Sequence, residues 1–168
     1  IRNTPSTGIR VCGKNETAGQ ISRNVLIDRV KVFNTGGQGI FGQEYENTFD
    51  CQGKKIGRPL KDLTIIDSEV SDVRDVFGCI TLWCVDGFRI ERTYAHDCYD
   101  SSIRTFADCA ANDDLSGCDD HDGIQAEGGL NGIIRDTVVE RSGEDNYDFG
   151  GHPGGKTRNL LIERSVSI

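Results

Sequence analysis

Methionine is absent from all 168 residues, position 1 included, as expected of a processed protein or an excerpt from a longer one. Basic charge is scarce: 19 Lys and Arg stand against 27 Asp and Glu, a formal charge of −8. Nucleic-acid binding, or attachment to an anionic membrane by charge, needs a basic stripe that this chain lacks, so no nucleic-acid and no membrane partner is expected. No apolar run approaches the roughly 18 residues of a membrane span, and no charged-then-apolar leader opens the chain, so it reads as soluble. Proline is limited to 3 residues and aromatics to 7%, while glycine reaches 21, a mix suited to tight turns around an aliphatic core and not to disorder.

No Cys-x-x-Cys pair occurs, which weakens zinc as the explanation of the 7 cysteines. An oxidising compartment with disulfides is favoured, and Asn15-Glu16-Thr17 is one acceptor tripeptide for glycosylation. The expected location is therefore extracellular. A length of 168 residues suits a single domain over 1–168. Cys98, Cys109 and Cys118 bracket an acidic stretch that a disulfide among them would hold, and Cys12 with Cys51 would tie the amino-terminal segment down. Cys79 stands at a strand position and reads as core, and an odd count leaves at least one thiol unpaired.

Internal similarity is the strongest feature. Five segments align: 24–32 NVLIDRVKV, 62–70 DLTIIDSEV, 87–95 GFRIERTYA, 131–139 NGIIRDTVV and 159–167 NLLIERSVS. Each has isoleucine fourth: Ile27, Ile65, Ile90, Ile134 and Ile162. A shorter motif follows as Gly39-Ile40-Phe41, Cys79-Ile80-Thr81, Ser102-Ile103-Arg104 and Asp148-Phe149-Gly150, with a further copy, Gly123-Ile124-Gln125, before Ile134. The isoleucine spacings of 38, 25, 44 and 28 become 20, 25, 29 and 28 once 43–60 and 107–121 are treated as insertions. Short β-branched runs alternate apolar and polar residues with turn residues between them, so the units are strands. Such strands cannot bury an apolar side alone, but stacked copies form continuous ladders from Val25, Ile27, Leu63, Ile65, Phe88 and Ile90.

These segments, above all NVLIDRVKVFNTGGQGIFG and DGIQAEGGLNGIIRDTVVERS, resemble the right-handed parallel β-helix repeat family, which includes polysaccharide lyases, alginate epimerases, pectin-degrading hydrolases and viral tailspikes. The resemblance covers roughly 24–168. It implies an all-β right-handed parallel β-helix, or solenoid, of about five to six coils belonging to a longer helix, with the two insertions outside as walls of a carbohydrate groove. Uncapped end coils would be covered by further coils or by end-to-end self-association.

Between Thr105 and Ile134 lie seven carboxylates and no Lys or Arg. Calcium, which takes about six to eight oxygens in irregular geometry, is the ion expected there. Asp119, Asp120 and Asp122 are its expected ligands, assisted by Asp113 or Asp114, with a solvated acidic loop as the bland alternative. His96, His121 and His152 fall in corners. Abstracting the proton beside a uronate carboxylate needs a base, a partner for that carboxylate and a donor to the leaving oxygen. His121 or His96 is the expected base, Tyr147 the donor and Arg135 the carboxylate partner, with His152 a further candidate. Tyr94, Tyr99, Arg104 and Arg141 lie near them in sequence.

The resemblance thus implies lyase or epimerase action on an acidic polysaccharide. Gly151-His152-Pro153 departs from the Asp-Pro-His-Asp type motif of the epimerases, and Asp119-Asp120 with Gly151-His152 echoes the pectin hydrolases only in part. The alternative is a non-catalytic structural or carbohydrate-binding β-helix in a filament, coat or viral fibre. Two residues beyond each repeat isoleucine stand Arg29, Asp67, Arg92, Asp136 and Arg164, an alternation of sign expected to support register.

Overall fold

The computed structural model describes residues 1–13, 22–43, 60–74, 77–150 and 156–168. Among the described residues sixteen strands and one short helix follow in order: β1 Arg2–Thr4, β2 Ile9–Cys12, β3 Ser22–Asp28, β4 Lys31–Thr35, β5 Ile40–Gln43, β6 Leu60–Ile66, β7 Glu69–Val73 and β8 Ile80–Trp83. Then come β9 Asp86–Glu91, β10 Tyr94–Cys98, α1 Phe106–Ala111, β11 Ile124–Glu127, β12 Ile133–Arg135, β13 Val138–Ser142, β14 Tyr147–Asp148, β15 Leu161–Glu163 and β16 Val166–Ser167.

The strands form three parallel sheets. The first has the order β1-β4-β7-β10-β13-β16, the second β14-β11-β8-β5-β2 and the third β15-β12-β9-β6-β3. Each strand is therefore bonded to the strand three places along the chain. The expected isoleucine ladder is the core of the third sheet, where Ile27, Ile65, Ile90, Ile134 and Ile162 stand in one register. The ninth residues of the same segments, Val32, Val70, Ala95 and Val139, form the matching column of the first sheet. In the second sheet the column is Ile9, Ile40, Ile80, Ile124 and Tyr147. Adjacent members are about 4.8 Å apart. One apolar cluster joins all three columns, with Leu63, Ile65, Phe88, Ile90 and Ile124 fully buried.

Corners make this stacking work. Arg29, Asp67, Arg92, Asp136 and Arg164, after the third sheet, all have φ of 46–52°. That left-handed conformation costs a non-glycine residue about 1–2 kcal/mol, so something must hold it. The amides of Arg29, Asp67, Arg92 and Asp136 donate to carbonyls of the next layer at 3.0–3.2 Å. The following residue locks the turn: Ser68, Thr93, Thr137 and Ser165 donate their hydroxyls to the carbonyl two residues back at 2.7–3.2 Å. The expected alternation of charge supports register at two steps, where Arg92 grips Asp67 and Arg164 grips Asp136, each at 2.6 and 2.9 Å. Arg29 turns instead to its neighbour Asp28 at 2.9 Å.

The copies of the shorter motif differ from expectation in two places. Ile103 belongs to no strand and is 53% exposed, because the chain leaves the sheets after Cys98 and returns only at Ile124. That excursion holds α1, so it begins earlier than the expected 107–121. The partner of Ile124 is Tyr147, not Phe149. The first insertion is bounded by the end of β5 and the start of β6, and 44–59 lies outside the described residues.

Disulfides join Cys79 to Cys98 and Cys109 to Cys118. The second is the bracket expected around the acidic stretch. Cys79 is a disulfide half and not a plain core residue, because stacking brings the approach to β8 against the end of β10. Cys84 is disulfide-bonded, and Cys12 is a free thiol, so the expected tie between Cys12 and Cys51 is not formed. Disulfides are compatible with an extracellular protein. Among the described residues no helix is long and apolar enough to cross a membrane.

Candidate functional site

The side chains expected to share one site are distributed over three sheets. His96 lies in β10 of the first sheet. Arg135, in β12 of the third, pairs with Glu163 and lies 3.8 Å from Glu91. Tyr147 packs against the core, and its hydroxyl approaches the carbonyls of Val166 and Thr137 at 3.2 and 3.3 Å. Burial pushes that phenol up to about 12. His121, buried just before β11, hydrogen-bonds through Nδ1 to the Asp119 carbonyl at 2.7 Å. A carbonyl only accepts, so Nδ1 carries the hydrogen, and the buried Nε2 has no partner. His152 lies outside the described residues.

His96 has a polar shell of its own. Its Nδ1 is 2.6 Å from Asp97, and Arg141 donates to both oxygens of the same carboxylate at 2.6 and 2.8 Å. Tyr94 stacks on the imidazole with ring centres 4.2 Å apart and donates to Glu140, which Arg141 also holds. The far nitrogen of His96 is 3.5 Å from Glu69 without a hydrogen bond, and Lys31 reaches Glu69 at 2.5 Å. Each carboxylate here lies below its ordinary pKa for a local reason: Glu69 through the Lys31 hydrogen bond, Asp97 through that of Arg141, and Glu140 through that of Tyr94. Asp67 and Asp136 at the corners are lowered chiefly by their arginine partners, and so is Glu91 by Arg89.

On the second sheet the balance reverses. Its outward column runs Phe41, Thr81, Gln125, Asp148, and two residues further along the strands stand Trp83 and Glu127. Phe41 and Phe77 each pack edge-on against Trp83 with centres 5.0 Å apart, and the Arg10 guanidinium sits 5.3 Å from the Phe41 ring. Asp122, only 2% exposed, enters before β11 and accepts from the Asp145 amide at 3.1 Å. It approaches the chain at Gly78, where φ is +83° and a Cβ would come within 1.8 Å of the Asp122 carbonyl oxygen, so glycine is required.

Burial, with the charges of Asp148, Glu144 and Asp145, pushes the Asp122 carboxyl up to about 8 against the opposing Asp145 hydrogen bond. Burial and then the charges of Asp148 and Asp120 push Glu127 up to about 7. Glu144 and Asp145 are also raised, by burial first and neighbouring carboxylates next. Gln125 donates through Nε2 to Asp148 at 3.4 Å, while its Oε1, in a residue 1% exposed, has no partner.

Of the residues expected to hold calcium, Asp119 and Asp120 come together, and the third member is Glu144: one oxygen from each lies within 4.8 Å of the others. Asp122 turns away toward the Asp145 amide, while Glu144 accepts from the Asp120 amide at 2.7 Å. The Cys109–Cys118 bond and the capping box of Thr105 with Asp108 on α1 hold this acidic corner in place. Asp113 lines a surface pocket of about 230 Å³ with Phe106, Arg141 and Asn146, and Asp114 donates its amide to Asn112 at 3.2 Å.

Glu127, Gln125, Asp145 and Asp148 were not singled out by reading the sequence for chemistry. The signal that finds them is the alignment of Gly123-Ile124-Gln125 with Asn146-Tyr147-Asp148, which sets Gln125 against Asp148. Placing Asp148-Phe149-Gly150 in the repeat shifts the strand by two residues and hides the pairing. No family model, no curated protein and no solved structure matches the chain.

Proposed function

We propose that the chain is a secreted, right-handed parallel β-helix that acts on a polysaccharide, cleaving glycosidic bonds with the carboxyl groups of its second sheet. Pairing of each strand with the third one after it supports the solenoid, and the strong preference of parallel crossovers for one hand supports right-handedness. One observation carries the chemistry. On the first and third sheets the resolved carboxylates have basic or phenolic partners and lowered pKa values, whereas around the second they are raised. Two carboxyls with raised pKa values, Asp122 and Glu127, are buried beside Trp83 and Phe41, which suits that face to proton transfer.

Glu127, with its proton retained to about pH 7, is the general acid. Asp148, half-buried on the adjacent strand, is the base that activates water. One strand spacing sideways and two residues along place their Cα atoms about 8 Å apart on neighbouring strands. Gln125 positions Asp148 through its Nε2 hydrogen bond. Calcium belongs to the same reading as an ion held by Asp119, Asp120 and Glu144, and titration calorimetry of the protein against Glu144→Gln tests it.

Exposure to a panel of neutral, amino and uronate polysaccharides should release reducing ends without unsaturated sugars. Glu127→Gln and Asp148→Asn should each lower the rate by a factor of about 100 or more. Unchanged rates in both variants would sink the assignment. A second reading, elimination or epimerisation of an acidic polysaccharide, draws on His96 beside Tyr94 and Arg141, and its mark is an unsaturated or epimerised product abolished by His96→Ala. Binding with neither product would leave a non-catalytic carbohydrate-binding or structural β-helix, for which end-to-end polymers would show in sedimentation.

A further inference from the structure

Resting on the second sheet as the carbohydrate face, the donor and acceptor inventory narrows the ligand. The charged residues grouped there offer acceptors: Asp148, Asp145 and the rim carboxylates Asp119, Asp120 and Glu144. Two neutral donors there are engaged: Gln125 Nε2 is given to Asp148 and the Thr81 hydroxyl to the Phe77 carbonyl.

Gln125 supplies an independent observation. Its Oε1 is buried and unpartnered although the other end of the same amide reaches into the carboxylate cluster. A buried acceptor left open costs free energy that a donor from outside recovers. A uronate brings acceptors and a like charge to such a face. A neutral sugar brings hydroxyl donors but leaves the acidic rim uncompensated. A protonated amine brings three donors and the opposite charge.

We infer that this face binds a glycan chain bearing protonated amino groups, with one ammonium received between Gln125 Oε1 and the Asp148 carboxylate and a neighbouring one beside Asp145. Selection is then by charge-assisted hydrogen bonding, which makes Gln125 a specificity-determining residue separate from the acid and base.

Titration calorimetry with hexamers of glucosamine, N-acetylglucosamine and galacturonate at about pH 6 tests this. The glucosamine hexamer should bind at least about tenfold more tightly than its acetylated form, and the galacturonate hexamer should not bind. Gln125→Leu and Asp148→Asn should each weaken glucosamine binding about tenfold, while Asp62→Asn, a charge removed at an exposed position within β6 of the third sheet, should leave it unchanged. Thermal melts check folding, and Asp148→Asn, at a half-buried site, keeps the test decisive if the Leu variant does not fold. Equal or tighter binding of the acetylated or acidic hexamer overturns the inference. So does glucosamine binding that neither substitution weakens, which would mark mere attraction to a chain of charge −8. Amine-selective binding without cleavage would sink the hydrolytic reading and keep this one, and cleavage with no preference for amines would do the reverse.

Discussion

Replacing Asp122 by Asn should stabilise the protein near neutral pH by an amount that grows with pH. In the unfolded chain this carboxyl titrates near its ordinary 3.8, and in the fold near 8. Below about pH 4 both states hold the proton and the group is neutral in its effect. Between there and pH 8 the unfolded state has released its proton while the native state keeps it, so native stability falls by about 1.4 kcal/mol per pH unit. At pH 7 the accumulated loss is roughly 4 kcal/mol. Asparagine has no proton to lose and its Oδ1 still accepts the Asp145 amide, so the variant escapes the penalty.

Urea unfolding with disulfides intact, followed by fluorescence of the buried Trp83, gives the comparison at several pH values. Any cost of housing the extra amide is independent of pH and cancels from the slope. The stability gap should rise across pH 4 to 7 and reach roughly 4 kcal/mol at the upper end. A gap flat with pH would refute the reasoning, because the carboxyl would then not be held protonated by the fold.

Gly78→Ala adds both a strained φ and a clash with the Asp122 backbone, and should cost at least about 1–3 kcal/mol, measured by the same unfolding curves. Opening the Cys109–Cys118 bond with paired serines should lose about 2–3 kcal/mol by loop entropy and loosen α1 and the acidic corner more than the first sheet, as read by hydrogen exchange. The whole protein should be most stable at about pH 4 to 6. Carboxylates such as Glu69 and Asp97, lowered by their partners, contribute stability that disappears as pH falls through their folded values, while Asp122 and Glu127 remove it as pH rises toward 7 and 8. A thermal midpoint that peaks above pH 7 would contradict this balance.

The third sheet was legible because its signal is local and repeated: one isoleucine per layer at a fixed place, with a left-handed corner two residues later. Ile103 shows where the pattern misleads. A lone apolar residue with the right neighbours matches the motif, but only pairing with adjacent layers makes a strand, and the turns around Asp100 send this segment outward. The candidate site was less legible because residue types do not report which face they occupy. Tyr147 and Arg135 have the chemistry of a donor and a cation, yet the first points into the core and the second is held by Glu163. His96 is matched with Tyr94 and Arg141, both near it in sequence reading, because β10 and β13 pair in a register that no single segment states. Gln125 was passed over as an uncharged residue, and its interest lies in an acceptor without a partner, which only the fold reveals.

Stacking in register has a cost that explains where function sits. Repetition places like beside like about 4.8 Å apart, which favours aliphatic columns inside and penalises equal charges outside. The third sheet avoids the penalty at its corner by alternating sign, as Asp67 with Arg92 and Asp136 with Arg164. The first avoids it by knitting Glu69, Asp97 and Glu140 to Lys31, Arg141 and Tyr94. On the second, the buried Asp122 carboxyl lies in the field of Asp148, Glu144 and Asp145, and Asp148 sits diagonally from Glu127. If proximity of carboxyls were only a by-product of the repeat, it would occur on all three faces to a similar degree. Its restriction to the face that also carries Trp83, Phe41 and an open buried amide makes the strain local and purposeful, so relieving it by Asp122→Asn should gain stability and lose activity together. Gain of stability with full activity would show that the carboxyl is a tolerated defect instead.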